Sequence, residues 1–391
     1  MNNRRTFWLA IMMLTLPVLL GALAMDMLLP ALPDMAMSLG LAPQQIQWML
    51  NVFILGFALS QLLVGFSATR LGDHHLLMSA IVLYILSSVG IAAVASYPWI
   101  LALRFIQALA SCTTMVISMA LVTQTFHTSL ATKGHSILSG LTSLGPLLAP
   151  VGGIAILNMG GSWRTIFLLL ALTGCVIFLL FVRVSPLFHW RERPAPRQSY
   201  SQIAKSPSFW RYAICSSTGM CWIFLFFSTA PFIVHSACQR NNWMLAWVFL
   251  LASLCFMIGS YLGARLHGKR PKEYFFDRCI VIQMMLSAAI FMSSMVNSLP
   301  FYVFIVWIML MQLNCGLYFG PAISFALQKF PEVPVQAAAF QGFQQFLTTF
   351  LVSGVLLMFF KYTLSGLSLM AFIVSVLAVS IISVIKYKYG V

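Results

Sequence analysis

Two charged side chains stand where the chain is otherwise almost free of charge. Phe7 to Met25 carry none, and then Asp26 appears in AMDMLLPALPD (Ala24–Asp34). Arg104 stands in a second apolar run, ILALRFIQAL (Ile100–Leu109). A carboxylate can take up and release a proton, and a guanidinium beside it can set how tightly that proton is held. In hydrocarbon each group is costly unless it is paired or faces water. An Asp26–Arg104 pair would satisfy both, and a change in wetting or separation would then load or release a proton. Asp34, just after Pro33, reads instead as an interfacial or capping residue.

A second set of groups is polar but uncharged. QGFQQF puts Gln341, Gln344 and Gln345 at i, i+3 and i+4, one face of a helix. Trp222, Phe226, Tyr318, Gln61 and Gln107 also fall within apolar runs. An apolar aromatic cavity with a few convergent amides is how a drug-sized molecule is held. These eight residues are the candidate substrate contacts, although helix packing and interhelical hydrogen bonding account more readily for any single one of them.

Such groups need elements to hold them, and composition says which. Of 391 residues, 61% are hydrophobic and only 7% charged, whereas soluble domains average about 25% charged. Lipid must be the solvent for most of the chain. Apolar runs near 20 residues give twelve transmembrane segments, at about 7–31, 47–69, 75–95, 98–123, 136–158, 163–184, 208–234, 244–266, 276–296, 300–325, 336–360 and 364–386. The fold class is all-α integral membrane, with residues 1–184 and 208–391 forming two six-helix halves and 185–207 a cytoplasmic linker. Arg4-Arg5, the apolar run and GALA resemble a signal peptide, but the run is too long, so an uncleaved first helix is expected.

Lys and Arg positions set the orientation. With the N-terminus inside, eighteen fall on the cytoplasmic side and three (Arg164, Arg240, Lys361) on the other. The net charge of +15 is thereby explained by the membrane rather than by nucleic acid. Both termini are expected in the cytoplasm. The eight cysteines form no CxxC pair or metal spacing, so no metal or cofactor is expected. The seven histidines, His74, His75, His127, His135 and His267 among them, lie mostly near segment ends and read as polar end residues.

The halves match each other. QWML (47–50) recurs as NWML (242–245), and the same offset of 195 carries Arg70-Leu71 onto Arg265-Leu266. A duplicated six-helix unit is the mark of transporters whose halves rock about a central site. At about 1.5 Å per residue, Asp26 and Arg104 both come to lie roughly 9 Å inside the outer face. Segment 5, SGLTSLGPLLAPVGG, carries Gly145, Pro146, Pro150, Gly152 and Gly153, small and ladder-breaking residues suited to a tight moving contact between halves.

Together these stretches resemble the major facilitator superfamily, and within it the drug:proton antiporters of the bicyclomycin-resistance type. Asp26 to Pro33 is similar to the group's DMYLPALP, and FALSQLLVG (Phe57–Gly65) to FALGQLLYG. LRFIQA (Leu103–Ala108) is similar to LRFLQG, whose arginine the group assigns to proton coupling. Gly145 to Gly153 resembles an imperfect antiporter motif, Trp163 to Phe167 resembles WRAIF, and segment 7 is similar to that of chloramphenicol and florfenicol exporters. The loop after segment 2 departs from the family's GPLSDRFGRRP: Gly65, Arg70, Gly72 and Asp73 remain recognisable, but Thr69 occupies the acid's place. In the family the loop acid helps latch the cytoplasmic side, so the resemblance implies an altered latch here. Some relatives hold a second acid in segment 1; Leu16 to Leu20 has none, leaving Asp26 alone.

The resemblance implies a monomeric, non-enzymatic carrier of the bacterial inner membrane. It would export a small, mostly apolar compound by alternating access in exchange for protons. Two other readings stand beside it: export of an endogenous metabolite such as a siderophore, and a degenerate carrier kept as a sensor or binding partner.

Overall fold

The computed structural model describes residues 4–126, 128–142, 145–188, 190, 200–237, 242–266, 272–296, 300–330, 332–360 and 362–389. Expected loop cations at Arg191, Arg193, Arg197, Arg240, Lys269, Arg270 and Lys361 lie outside the described residues. The described chain is helical. Eleven helices among its described residues are long and apolar enough to cross a membrane, and Leu148–Asn158 is a shorter apolar one. The protein is therefore a multi-pass membrane protein.

The first unit, Met1–Arg197, contains α1 (Arg4–Asp26), α2 (Trp48–Leu71), α3 (Asp73–Ala93), α4 (Tyr97–Thr125), α5 in two pieces, α5a (Thr128–Thr142) and α5b (Gly145–Asn158), and α6 (Trp163–Val184). Gln198–Val391 form the second unit, with α7 (Pro207–Ala237), α8 (Asn242–Leu266), α9 (Lys272–Val296), α10 (Phe301–Gln328), α11 (Pro334–Phe359) and α12 (Leu364–Tyr389). In the first unit α1 packs on α4, α5 and α6; α4 also packs on α2 and α3, and α3 on α6. The second unit repeats this scheme with six added to each number: α7 on α10, α11 and α12, α10 on α8 and α9, and α9 on α12. The weak sequence repeat thus corresponds to a repeated packing scheme.

Two expected segments need correction. Segment 1 was expected to run unbroken to about residue 31, but α1 stops at Asp26. Pro30 has no N–H for the Asp26 carbonyl, and Pro33 has none for that of Leu29. The chain turns through Met27 and Leu28 into a 3-10 helix, Leu29–Ala31, and then a short helix, Leu32–Ser38. Asp34 sits in the first turn of that last helix, where the positive helix end favours an acid. Segment 5 begins at Thr128 rather than near 136. Its first turns are too polar for hydropathy to register, yet Gly134 packs on Ile11 of α1.

The second unit shows how closely such helices approach. A Cβ at Gly259 of α8 would collide with the Leu313 carbonyl of α10, and one at Gly316 with the Phe256 carbonyl. In lipid, where burial of apolar surface drives no helix association, such close packing is one of the terms that hold helices together.

Candidate functional site

The break in α1 makes the site. The last carbonyls of a helix lack N–H partners, and that end carries partial negative charge. Arg104 of α4, fully buried, meets this need. Its Nη1 donates to the Ala24 carbonyl (3.1 Å) and to Gln107 Oε1 (2.7 Å), and its Nε donates to the Met49 carbonyl of α2 (3.4 Å). The guanidinium also lies over Phe53, 4.4 Å from the ring centroid, and 5.6 Å from that of Phe167. One cation thus ties α1, α2 and α4 together. Its Nη2 is buried with no hydrogen-bond partner.

Asp26 is the residue on which α1 ends, and it is 8% exposed. Among the described residues its carboxylate makes no ion pair, so the expected Asp26–Arg104 pair is not formed. The guanidinium instead holds the backbone two residues upstream. The turn at Met27, which a count of apolar residues runs past, leaves the Ala24 carbonyl open to the guanidinium. Both residues nevertheless belong to one structure, the capped end of α1.

Gln107 extends this network. Its Nε2 donates to Ser88 Oγ of α3 (2.7 Å), which in turn donates to the Tyr84 carbonyl (2.7 Å). Tyr84 Oη donates to the Leu20 carbonyl of α1 (3.3 Å). Gln107, expected as a substrate contact, here positions Arg104. Gln61 is half-buried on α2.

The glycines of α5b close on the same break from another side. A Cβ at Gly153 would strike the Met27 carbonyl and come within 3.1 Å of Pro30 Cγ. A Cβ at Gly145 would meet Ala22 Cβ at 2.8 Å, and one at Gly152 only Met27 Cε at 3.5 Å. Pro146 lies in the first turn of α5b and Pro150 is buried within it. This motif was expected to serve contact between halves; the contacts described are with α1 in its own unit.

In the loop motif, Gly65 and Thr69 lie in the last turns of α2, and Arg70 is exposed. Gly72 precedes α3 with φ +74°, a conformation glycine adopts readily. Asp73, buried at the start of α3, accepts a hydrogen bond from Gln124 Nε2 near the end of α4 (2.9 Å).

In the second unit the amides of α11 are buried against α7. Gln341 Nε2 donates to Ser216 Oγ (2.7 Å) and Gln344 Nε2 to Ser217 Oγ (2.8 Å), with Gln345 buried beside them. Tyr318 Oη donates to Gln283 Oε1 (2.7 Å). Trp222 packs edge-on against Trp307 at 5.3 Å and stacks on Phe226 at 6.2 Å. One cluster escaped the sequence reading. Asp277 of α9 pairs with buried Arg211 of α7 at 3.2 Å and with Lys386 of α12. Arg211 and Lys386 had been read only as orientation signals; the signal for Asp277 was its rarity, one of seven acids in the chain.

Comparison with known proteins places this geometry. The family model described as Major Facilitator Superfamily matches residues 14–352. An uncharacterized MFS-type transporter, YdgK, of Bacillus subtilis is 25% identical over 86% of this chain and 85% of its own. A chloramphenicol resistance protein of Pseudomonas aeruginosa is 31% identical over 54% of this chain and 51% of its own. A bicyclomycin resistance protein homolog of Haemophilus influenzae is 22% identical over 88% of both chains. Among solved structures, a bacterial homolog of the lysosomal transporter Spinster superposes with a TM-score of 0.74 at 14% identity, covering 100% of this chain and 98% of that one. A D-xylose–proton symporter gives 0.73 at 15% identity, covering 94% and 96%. At such identity these two establish the fold alone.

Proposed function

This chain belongs to the Major Facilitator Superfamily, and within that family we propose that it exports a small, mostly apolar organic compound in exchange for a proton. It is a secondary transporter rather than an enzyme. The drug-resistance names of its relatives support the export reading, and one observation carries the coupling: a buried acid with no ion pair among the described residues is the last residue of α1, whose end Arg104 and α5b hold.

Charge on Asp26 is costly there, both because the site is nearly dry and because the negative helix end faces it. Arg104 meanwhile keeps both N–H bonds of Nη2 without a hydrogen-bond partner. Losing the proton draws the Asp26 carboxylate toward that donor; regaining it releases the carboxylate. The position of the α1 end thereby follows protonation. Substrate and proton bias opposite states of an alternating-access cycle. Gln61, Trp222, Phe226, Tyr318, Gln341, Gln344 and Gln345 are the proposed substrate contacts, with Gln107 acting through Arg104. The chain sits as a monomer in the bacterial cytoplasmic membrane with both termini inside.

Proteoliposomes carrying the full chain test this. A panel of neutral antibiotics should be transported faster when a pH gradient is imposed. Asp26→Asn should abolish that acceleration while the protein still inserts and binds. Gradient-driven transport unchanged in Asp26→Asn removes the coupling role.

A further inference from the structure

Ser216 and Ser217 are neighbours on α7, and each Oγ donates its single hydrogen to the Ala213 carbonyl, at 2.9 and 2.8 Å. Each hydroxyl therefore has only lone pairs to offer α11. With the hydroxyls so engaged, Gln341 and Gln344 present their NH2 groups, at 2.7 and 2.8 Å. A flipped amide would set a carbonyl oxygen against a hydroxyl oxygen unless the serine gave up its bond to Ala213. Gln344 Nε2 is fixed further by Thr348 Oγ1 at 3.2 Å. The consequence lies on the opposite atom. Gln341 Oε1 and Gln344 Oε1 are both buried, and neither has a hydrogen-bond partner.

Buried acceptors left unmet are unfavourable, and these two, unlike the other unpartnered glutamine oxygens among the described residues, stand one turn apart on one helix beside a matching pair of serines. The residues stand at i and i+3, which places their Cβ atoms about 5–6 Å apart. We propose that these two amide carbonyls recognise two hydrogen-bond donors of the transported molecule, hydroxyl or amide N–H groups spaced about one helical turn apart. A buried cation needs a counter-charge, and within this unit Asp277, its membrane acid among the described residues, is already paired with Arg211 and Lys386, so neutral donors suit these carbonyls. The inference rests on the export reading and adds the chemistry its substrate must carry.

Matched ligands separate the two. The probes are chloramphenicol and thiamphenicol, each with two hydroxyls and an amide N–H, against their bis-O-methyl ethers. Binding is measured on the full chain in lipid nanodiscs and transport in proteoliposomes. Two hydrogen bonds predict about tenfold weaker binding of the ethers. Gln341→Leu and Gln344→Leu should shrink that ratio. So should Ser217→Ala, a milder change that leaves the Gln344 amide held by Thr348 alone. Ethers bound and carried as well as their parents overturn the inference and leave the export reading intact. Discrimination that depends on Gln344, in a protein that moves none of the four, sinks the export reading and with it the assignment of these carbonyls to a transported molecule. Failure of all four to bind overturns the inference.

Discussion

Replacing Arg104 by lysine keeps the charge and discards the fork. Three carbonyl oxygens depend on the guanidinium: those of Ala24, Met49 and the Gln107 side chain. They are reached by two different nitrogens, Nε and Nη1. A single ammonium on a shorter stem leaves at least one of them unmet. A buried acceptor without a partner costs about 1–3 kcal/mol, and the smaller hydrogen-bond energies measured inside membranes put the expected loss near ~1 kcal/mol. Cation–π contact with Phe53 survives, since the ring accepts either cation. The loss therefore falls on the end of α1. Proton-driven efflux should drop by about fivefold to tenfold, because 1.4 kcal/mol is a factor of ten. Thermal unfolding in nanodiscs should fall modestly. If Arg104→Lys retains wild-type efflux at every pH, the positive charge alone suffices and the capping argument is wrong.

Two further substitutions probe the supports of this site. Gly153→Ala forces a Cβ onto the Met27 carbonyl and the Pro30 ring, overpacking of a kind that costs about 1–3 kcal/mol; thermal stability and efflux should both fall. Gly152→Ala is the control, since only the flexible end of Met27 stands near it, and equal damage from both would refute the contact argument. Asp277→Asn leaves Arg211, 1% exposed, without its carboxylate. Breaking a buried pair costs about 3–5 kcal/mol; because Asp277 is 21% exposed, a loss of about 1–3 kcal/mol in nanodisc unfolding is expected. Lys386→Met, at a more exposed position, should cost below about 1 kcal/mol, and the reverse order would contradict the assignment.

What the sequence made legible was what depends on residue type alone. Charge against hydropathy located Asp26 and Arg104, and helical spacing put three glutamines on one face. What it hid depends on where helices stop and which neighbour arrives first. Pro30 and Pro33 announced a break, but counting apolar residues ran straight through them, because a turn in a membrane segment can be as greasy as a helix. With the break unseen, Arg104 had only one conceivable partner, the Asp26 carboxylate, rather than the orphaned Ala24 carbonyl. Ser216 and Ser217 are ordinary in sequence and become informative only when α11 is laid beside them. Asp277 sits amid cations near the start of α9, and only folding brings Arg211 and Lys386 from the ends of α7 and α12 to it.

The central claim is that Asp26 exchanges a proton during the working cycle. Infrared difference spectroscopy of the full chain in lipid, recorded on addition of a transported compound, tests it at the carboxyl group itself. Loss of a protonated-carboxyl stretch is expected in the wild-type chain, with no such change in Asp26→Asn. A spectrum with the same carboxyl change in both proteins, or with none in the wild type while transport proceeds, would contradict it.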